Sequence, residues 1–354
     1  MGIKIYQRYI TFIFLKNFFI IFASLQFFYL GLDLMQHLKK LPDSANLQIL
    51  YSLYTFLNAI NYTLPVSILF AMIVSKFYLI KNNELIAMYA SGVSKNRLIK
   101  PIFFSSLVIV ILYVGLNFTN FAYSKDYAHN ILTKSTLATT YNNLFLKYFD
   151  KYIYMKKLNP LKKEATGVKI FDLNGSDLRS ITNAKSAKFQ QDYWVLNDVK
   201  VTYKPSVIKK DAKLSLKSYK QHKDLKGYKP KIIENLYEGK SSFSIMDAIE
   251  AINLFLTQSV NIVKIKATLF KMTIFPFFAP LLSLILFYYM PVSIRFFNLA
   301  LVSSVFVFIS LVSWAILFML VKMSMNSVLS PEIGIILPIV LLAFFALYLY
   351  RKNR

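Results

Sequence analysis

Long apolar runs alternate with short charged connections along this chain, and one long mixed segment interrupts them. Six runs reach or approach the ~20 residues that a helix needs to cross a bilayer core. They are 12–35, 56–80, 98–122, 267–290, 296–321 and 333–350. Three precede the mixed segment and three follow it. The pattern predicts an α-helical polytopic membrane protein, three spans plus three, with an inserted domain. The first run is too long for a signal peptide and no small-residue cleavage site follows it. Pro65, Pro276, Pro280 and Pro338 fall inside runs. Neighbouring helices can satisfy the carbonyls they free, so they predict kinks rather than breaks. Lys16 and Lys76 lie near span ends and are expected to snorkel to the headgroups, with Lys271 a similar case.

The mixed segment, 123–266, is too long for a loop and reads as a domain. KYIYMKKL (151–158), GVKIFDL (167–173) and YWVLNDVKVTY (193–203) read as strands. In the last, Tyr193, Val195, Val199, Val201 and Tyr203 keep a period of two, with a break at Leu196–Asp198. NGSD (174–177) is a tight-turn signal. Asn174 also sits in an N-x-[ST] sequon within DLNGS, but Asn-Gly favours the turn reading. The segment is therefore expected to be an all-β, jellyroll-like or sandwich domain. The lysine-rich stretch 204–231 is compatible with edge strands or a loop. SSFSIMDAIEAINLF (241–255) reads as a short helix with Ser244 as N-cap and Asp247 at the third helical position. The domains expected are 1–122, 123–266 and 267–354.

Composition strengthens the membrane reading. Of 354 residues 56% are apolar and 17% charged, too few charges for a soluble protein of this size. The net charge of +25 partly reflects a lysine-, asparagine- and isoleucine-rich composition, and its distribution says more. Lys4, Arg8, Lys81, Lys95, Arg97, Lys100, Arg295, Arg351, Lys352 and Arg354 all fall on one side if the spans alternate. The short loops of the other side hold Lys39, Lys40 and Lys322. The positive-inside bias then puts both termini and residues 82–96 in the cytoplasm and the β domain outside, in a bacterium the periplasm.

Catalytic chemistry finds no support. There is no cysteine, and His37, His129 and His222 belong to no metal-ligand pattern. Neither a G-x-x-x-x-G-K-[ST] phosphate loop nor a G-x-S-x-G elbow occurs, and the spans hold no paired carboxylates. Asp33 is the only acid near a span core. No catalytic residue, bound cofactor or metal is expected. Nucleic acid is excluded because the basic domain faces away from the cytoplasm.

The connection NNELIAMYASGVSKN (82–96) is the informative one. Asn82 or Asn83 can cap a helix, Glu84 favours its first turn, and Leu85, Met88 and Tyr89 share one face. Gly92 is a natural stop and Ser94 can cap the third span. The prediction is a helix of about two turns over residues 82–92, lying across the end of a hairpin. It is either an interfacial anchor or, because a carboxylate beside a compact apolar knob suits a protein groove, a contact for an ATPase subunit.

NELIAMYASGVSKNRLIKP (83–101) resembles the coupling segment of the LptF/LptG family of lipopolysaccharide-export ABC permeases, with its E-L-x-x-M-x-A-S-G pattern between the second and third spans. The resemblance covers nearly the whole chain. It includes the three-plus-three layout, WVLNDV (194–199) in the β domain, and the proline-containing fourth span 270–295. It implies a half-transporter of the bacterial inner membrane that pairs with a second LptF/LptG-type permease on an LptB-type ATPase dimer. ATP and Mg would be used by that ATPase. Glu84, Leu85, Met88 and Gly92 match the coupling motif. The first and fifth spans would form a lateral gate, and lipopolysaccharide would pass from it to LptC- and LptA-type β-jellyroll proteins. Phe27, Leu30 and Leu34 are gate candidates by helical spacing. LDLMQHLKK (32–40), with Lys39 and Lys40, resembles LptG more than LptF, although Asp33 departs from the basic residue expected there. An excess of basic residues across 123–266 suits an anionic lipid headgroup.

Two other classes compete. A permease-like scaffold or mechanotransmission protein that moves no lipid would typically have four spans, with its large domain after the first. An ion-coupled carrier would need polar groups or broken helices at the midplane.

Overall fold

The computed structural model describes residues 4–135, 140–175, 177–205, 214–230, 232–233, 242–256, 262–293 and 298–353. They form two compact units. The membrane unit comprises Met1–Ala128, Phe243–Ala248 and Val263–Arg354, and the β unit comprises His129–Ser242 and Ile249–Ile262. Among the described residues six helices are long and apolar enough to span a membrane.

In chain order, α1 (Ile5–His37) runs into a 3-10 turn, Leu38–Lys40, and α2 (Ala45–Lys81) comes next. α3 (Glu84–Ala90) is the short connection and α4 (Lys95–Leu116) the third span. α5 (Ser124–Lys134) and α6 (Ile245–Leu256) flank the β insert. The fourth span is α7 (Val263–Thr273), a 3-10 turn at Phe275–Phe277, and α8 (Phe278–Tyr289). α9 (Leu299–Met325) is the fifth span. A π-turn, Glu332–Ile336, leads into α10 (Leu337–Lys352).

α2 is central. It packs against α1, α8 and α9, and 78% of its most apolar window is buried, against 11% for α1 and 11% for α9. α2 absorbs Pro65 without interruption. Pro276 does break the α-helical ladder into the 3-10 turn, because it has no N–H to give and its ring crowds the preceding turn. The expected kink is a break at that position. Before Pro338 the chain widens into the π-turn instead.

The fifth and sixth spans approach closely at Gly334. A Cβ there would meet Ser324 Oγ at 2.0 Å and the Leu320 carbonyl at 3.1 Å. Gly334→Val is therefore expected to destabilise the membrane unit by roughly 1–3 kcal/mol through overpacking. Unfolding in mixed micelles measures it, and an unchanged midpoint would show that the two helices are free to separate.

One lysine overturns its expectation. Lys76 does not snorkel. It is 1% exposed, and its Nζ donates to the carbonyls of Phe287 (2.5 Å) and Met290 (2.8 Å), 4.3 Å from the Phe287 ring centroid. These carbonyls close α8, where the helix dipole is negative and a cation is favoured. Lys16 is exposed, as snorkelling requires, and Lys271 is half-buried.

The β unit contains one antiparallel sheet in which every neighbour in space is a neighbour in sequence. Its strands are β1 (Tyr141–Tyr148), β2 (Lys151–Asn159), β3 (Glu164–Asn174), β4 (Asp177–Gln190), β5 (Tyr193–Tyr203) and β6 (Ser215–Asp224). The three strands read from sequence are β2, β3 and β5. β1 and β4 are additions. Gly175 has φ +64 between the paired Asn174 and Asp177, at the position of the expected turn, while Ser176 lies outside the described residues. Residues 206–213 and 231 of the lysine-rich stretch, Ser241, Arg295 and Arg354 also lie outside them. The described part of that stretch supplies β6, an edge strand exposed along nearly its whole length.

One sheet face carries the apolar cross-strand pairs Leu144–Met155, Met155–Val168 and Ile153–Ile170. In β5 the inward residues are Trp194 and Leu196, then Val199 and Val201. Tyr193 and Val195, which share the period of two read from sequence with Val199 and Val201, lie on the opposite face from them before the break. Asp198, at φ +52, shifts the alternation there. Trp194 is fully buried and donates from Nε1 to the Tyr228 carbonyl at 2.7 Å.

At the start of α6, Ser244 receives the Asp247 N–H at 3.1 Å, as its capping role predicts. Tyr123 donates its hydroxyl to Asp247. Burial, then the neighbouring carboxylate, pushes the Tyr123 phenol up from its ordinary value.

Candidate coupling segment and lipid-facing spans

The turn from α2 to α3 needs a residue in the left-handed region. Asn83 supplies it at φ +57, and asparagine tolerates that conformation better than most. Asn83 holds the N-cap position but its side chain makes no capping hydrogen bond, so its backbone conformation is what matters. At the other end Gly92 adopts φ +82. Its N–H meets the Tyr89 carbonyl at 3.0 Å and the Val93 N–H meets the Met88 carbonyl at 3.0 Å, a Schellman stop. Ser94 then takes the N-cap position of α4 without a side-chain bond.

α3 is docked by its apolar face. Leu85 is fully buried, and Met88, Tyr89 and Val93 pack partly buried against the core of the membrane unit. Glu84 Oε1 accepts from the Tyr9 hydroxyl at 3.0 Å, tying α3 to α1. Burial pushes the Tyr89 phenol up to about 12. Glu84 Oε2 and the Tyr89 hydroxyl are enclosed without a hydrogen-bond partner among the described residues. Of the residues expected to meet a partner, Leu85 and Met88 thus face inward, and the apolar knob is an anchor. Gly92 is exposed and Glu84 half-buried. The outward surface includes Ile86 (41% exposed), Ala87, Ala90, Ser91 and Gly92. The sequence signal for it is the complementary face of the same helical wheel.

The gate candidates lie on or beside α1. Phe27 is 67% exposed, its ring 6.0 Å from that of Phe56, while Leu30 and Leu34 are half-buried. Lys39 and Lys40 are exposed in the 3-10 turn after α1. Spacing along one helix therefore does not put all three apolar candidates on the outer face. α1 and α9 expose large side chains along their length, including Phe12, Phe19 and Phe28 on one and Leu301, Phe308 and Met319 on the other. Sequence reasoning does not single out the α9 residues. Asp33 is engaged within the chain: Tyr51 donates its hydroxyl to the carboxylate, and His37 Nδ1 lies 3.5 Å from it.

A sequence model of the lipopolysaccharide export system permease LptF/LptG matches residues 8–352. Comparison with curated proteins gave no match. The family match extends from the first turns of α1 to the last residue of α10, taking in α3 and the β insert. On that coverage the chain belongs to the LptF/LptG family of lipopolysaccharide export permeases.

Proposed function

We propose that this chain is one half of the membrane core of a lipopolysaccharide exporter, extracting the lipid from the inner membrane and passing it to a periplasmic bridge. The observation that carries this reading is the contrast in burial among the spans: α2 is enclosed, whereas α1 and α9 each bury only 11% of their most apolar window within the chain. Those two spans are free to meet a second LptF/LptG-type permease and to open and close around a lipid. The LDLMQHLKK segment supports reading this half as the LptG type. The positive-inside charge bias supports cytoplasmic termini and a periplasmic β unit, from which LptC- and LptA-type proteins would receive the lipid.

Energy would come from a separate LptB-type ATPase dimer using ATP and Mg. Its contact is α3. Glu84 has one oxygen held by Tyr9 and a second enclosed without a donor, so a basic group of the ATPase would gain an unsatisfied acceptor once the carboxylate turns outward. Leu85 and Met88 would pass the motion inward to the spans, and Gly92 shapes the exit of the helix.

Co-purification of tagged protein from lipopolysaccharide-producing cells tests this. Wild type is expected to bring an ABC ATPase and a second six-span permease, identified by mass spectrometry. Glu84→Ala is expected to lower ATP-driven lipid release by about tenfold or more, equivalent to about 1.4 kcal/mol. Wild type that brings no ATPase after gentle extraction would make α3 an interfacial anchor and favour the scaffold reading.

A further inference from the structure

Asn96 joins three spans at the end of the membrane unit that carries α3. Its Nδ2 donates to the Tyr350 carbonyl of α10 at 2.8 Å, and its Oδ1 accepts from the Tyr288 hydroxyl of α8 at 2.5 Å. Just inside this junction the same three helices do not close. A cavity of about 320 Å³ lies between them, framed by Ile99, Phe103, Leu284, Ala343 and Leu347. That volume is at the lower end of the ~300–1,000 Å³ of ordinary ligand sites. Ala343 and Ala346 keep it open, since a larger residue on α10 would fill it. Phe104 and Leu347 on its border are 58% and 56% exposed, so it opens to the lipid-facing surface.

The lining is apolar, and Lys100, whose side chain is exposed, borders it with its alkyl stem. The junction at Asn96 brings more cations to the same end, because Arg97 follows Asn96 and Arg351 follows Tyr350, and both are exposed. Among the described residues no carboxylate is within ion-pair distance of Lys100, Arg97 or Arg351, and α4, α8 and α10 contain no acid. An apolar slot in a membrane fills with hydrocarbon. Unpaired cations at the same end of these spans, with Lys100 bordering the cavity, select for a negative headgroup, as basic pockets between spans do.

We propose that one anionic glycerophospholipid binds here, an acyl chain between α4, α8 and α10 and its phosphate at Lys100. This site is separate from α1 and α9, where the export reading puts its lipid, and it does not depend on that reading. The lipid would act as a wedge holding the third, fourth and sixth spans apart at the end next to α3.

The test uses the full chain in nanodiscs with trace phosphatidylglycerol carrying a photoactivatable acyl chain, against phosphatidylcholine with the same chain. Adduct positions are read by mass spectrometry, without ATPase or lipopolysaccharide present, so failure of the export reading leaves the result interpretable. The phosphatidylglycerol probe is expected to label peptides containing Phe103 and Leu347 at least about threefold more than the phosphatidylcholine probe. Lys100→Gln is expected to erase that preference while labelling continues. Ala343→Trp is expected to lower labelling by both probes. Lys100 is exposed, so a folding defect does not confound its variant. Equal labelling by the two probes in wild type, adducts spread evenly over α1 and α9 as well, or no adducts at the cavity would each overturn the proposal.

Discussion

Replacing Lys76 with methionine is expected to destabilise the membrane unit by roughly 2–5 kcal/mol, among the largest single-residue effects in the protein. Methionine keeps the length and apolar stem of lysine but removes every donor. The carbonyls of Phe287 and Met290 then lose the donor that closes α8. Water cannot replace it at a site that is 1% exposed, and each unpaired buried carbonyl costs about 1–3 kcal/mol. The contact with the Phe287 ring is lost as well. Lys76→Arg is expected to recover only part of the loss, because the planar guanidinium is bulkier than the ammonium that fits here. Unfolding in mixed micelles, followed through Trp314 in a Trp194→Phe background, measures both. A change below about 1 kcal/mol for Lys76→Met would mean that the carbonyls find other donors and that the lysine does not brace α2 against α8.

That lysine also shows where sequence reading stops. The six spans are legible because each carries its own signal, apolar length, which needs no knowledge of neighbours. Lys76 carries none. Its partners lie 211 and 214 residues away, so its position near a span end points to the headgroups. The same logic divides the strands. β5 and β2 announce themselves by aromatic and β-branched residues. β4 hides because its inward positions are Ser180, Thr182, Ala184 and Ala187, small or polar residues with no apolar alternation. β1 has two asparagines early, with Asn143 at φ +54, and an irregular burial pattern. β6 is exposed along nearly its whole length and becomes a strand only by pairing with β5. For α3, helical spacing correctly groups Leu85, Met88 and Tyr89 on one face. It carries no information about which way that face turns. The apolar face goes to the chain's own core, as burial energy favours when such a core is within reach.

This orientation separates two jobs that α3 would perform as a coupling helix, and the separation can be measured. Ile86 is 41% exposed while Leu85 is fully buried, although they are adjacent in sequence. Ile86→Asp should leave the isolated chain within ~0.5 kcal/mol of wild-type stability, as surface changes do. It should nevertheless reduce ATPase recovery by about tenfold or more, because an apolar contact worth about 1.4 kcal/mol is replaced by an unpaired charge. Leu85→Ala should do the reverse. It should destabilise the membrane unit by about 2–5 kcal/mol through the cavity it leaves. The outer surface of Ile86, Ala87 and Ala90 stays intact, so the ATPase should still bind at permissive temperature. What fails is transmission: ATP turnover should continue with lipid release lowered, since the helix no longer grips the spans. If Leu85→Ala instead loses the ATPase while Ile86→Asp keeps it, α3 must leave its pocket and turn its apolar face outward when the ATPase binds. The buried face would then be the contact, and the docked conformation would be the resting one.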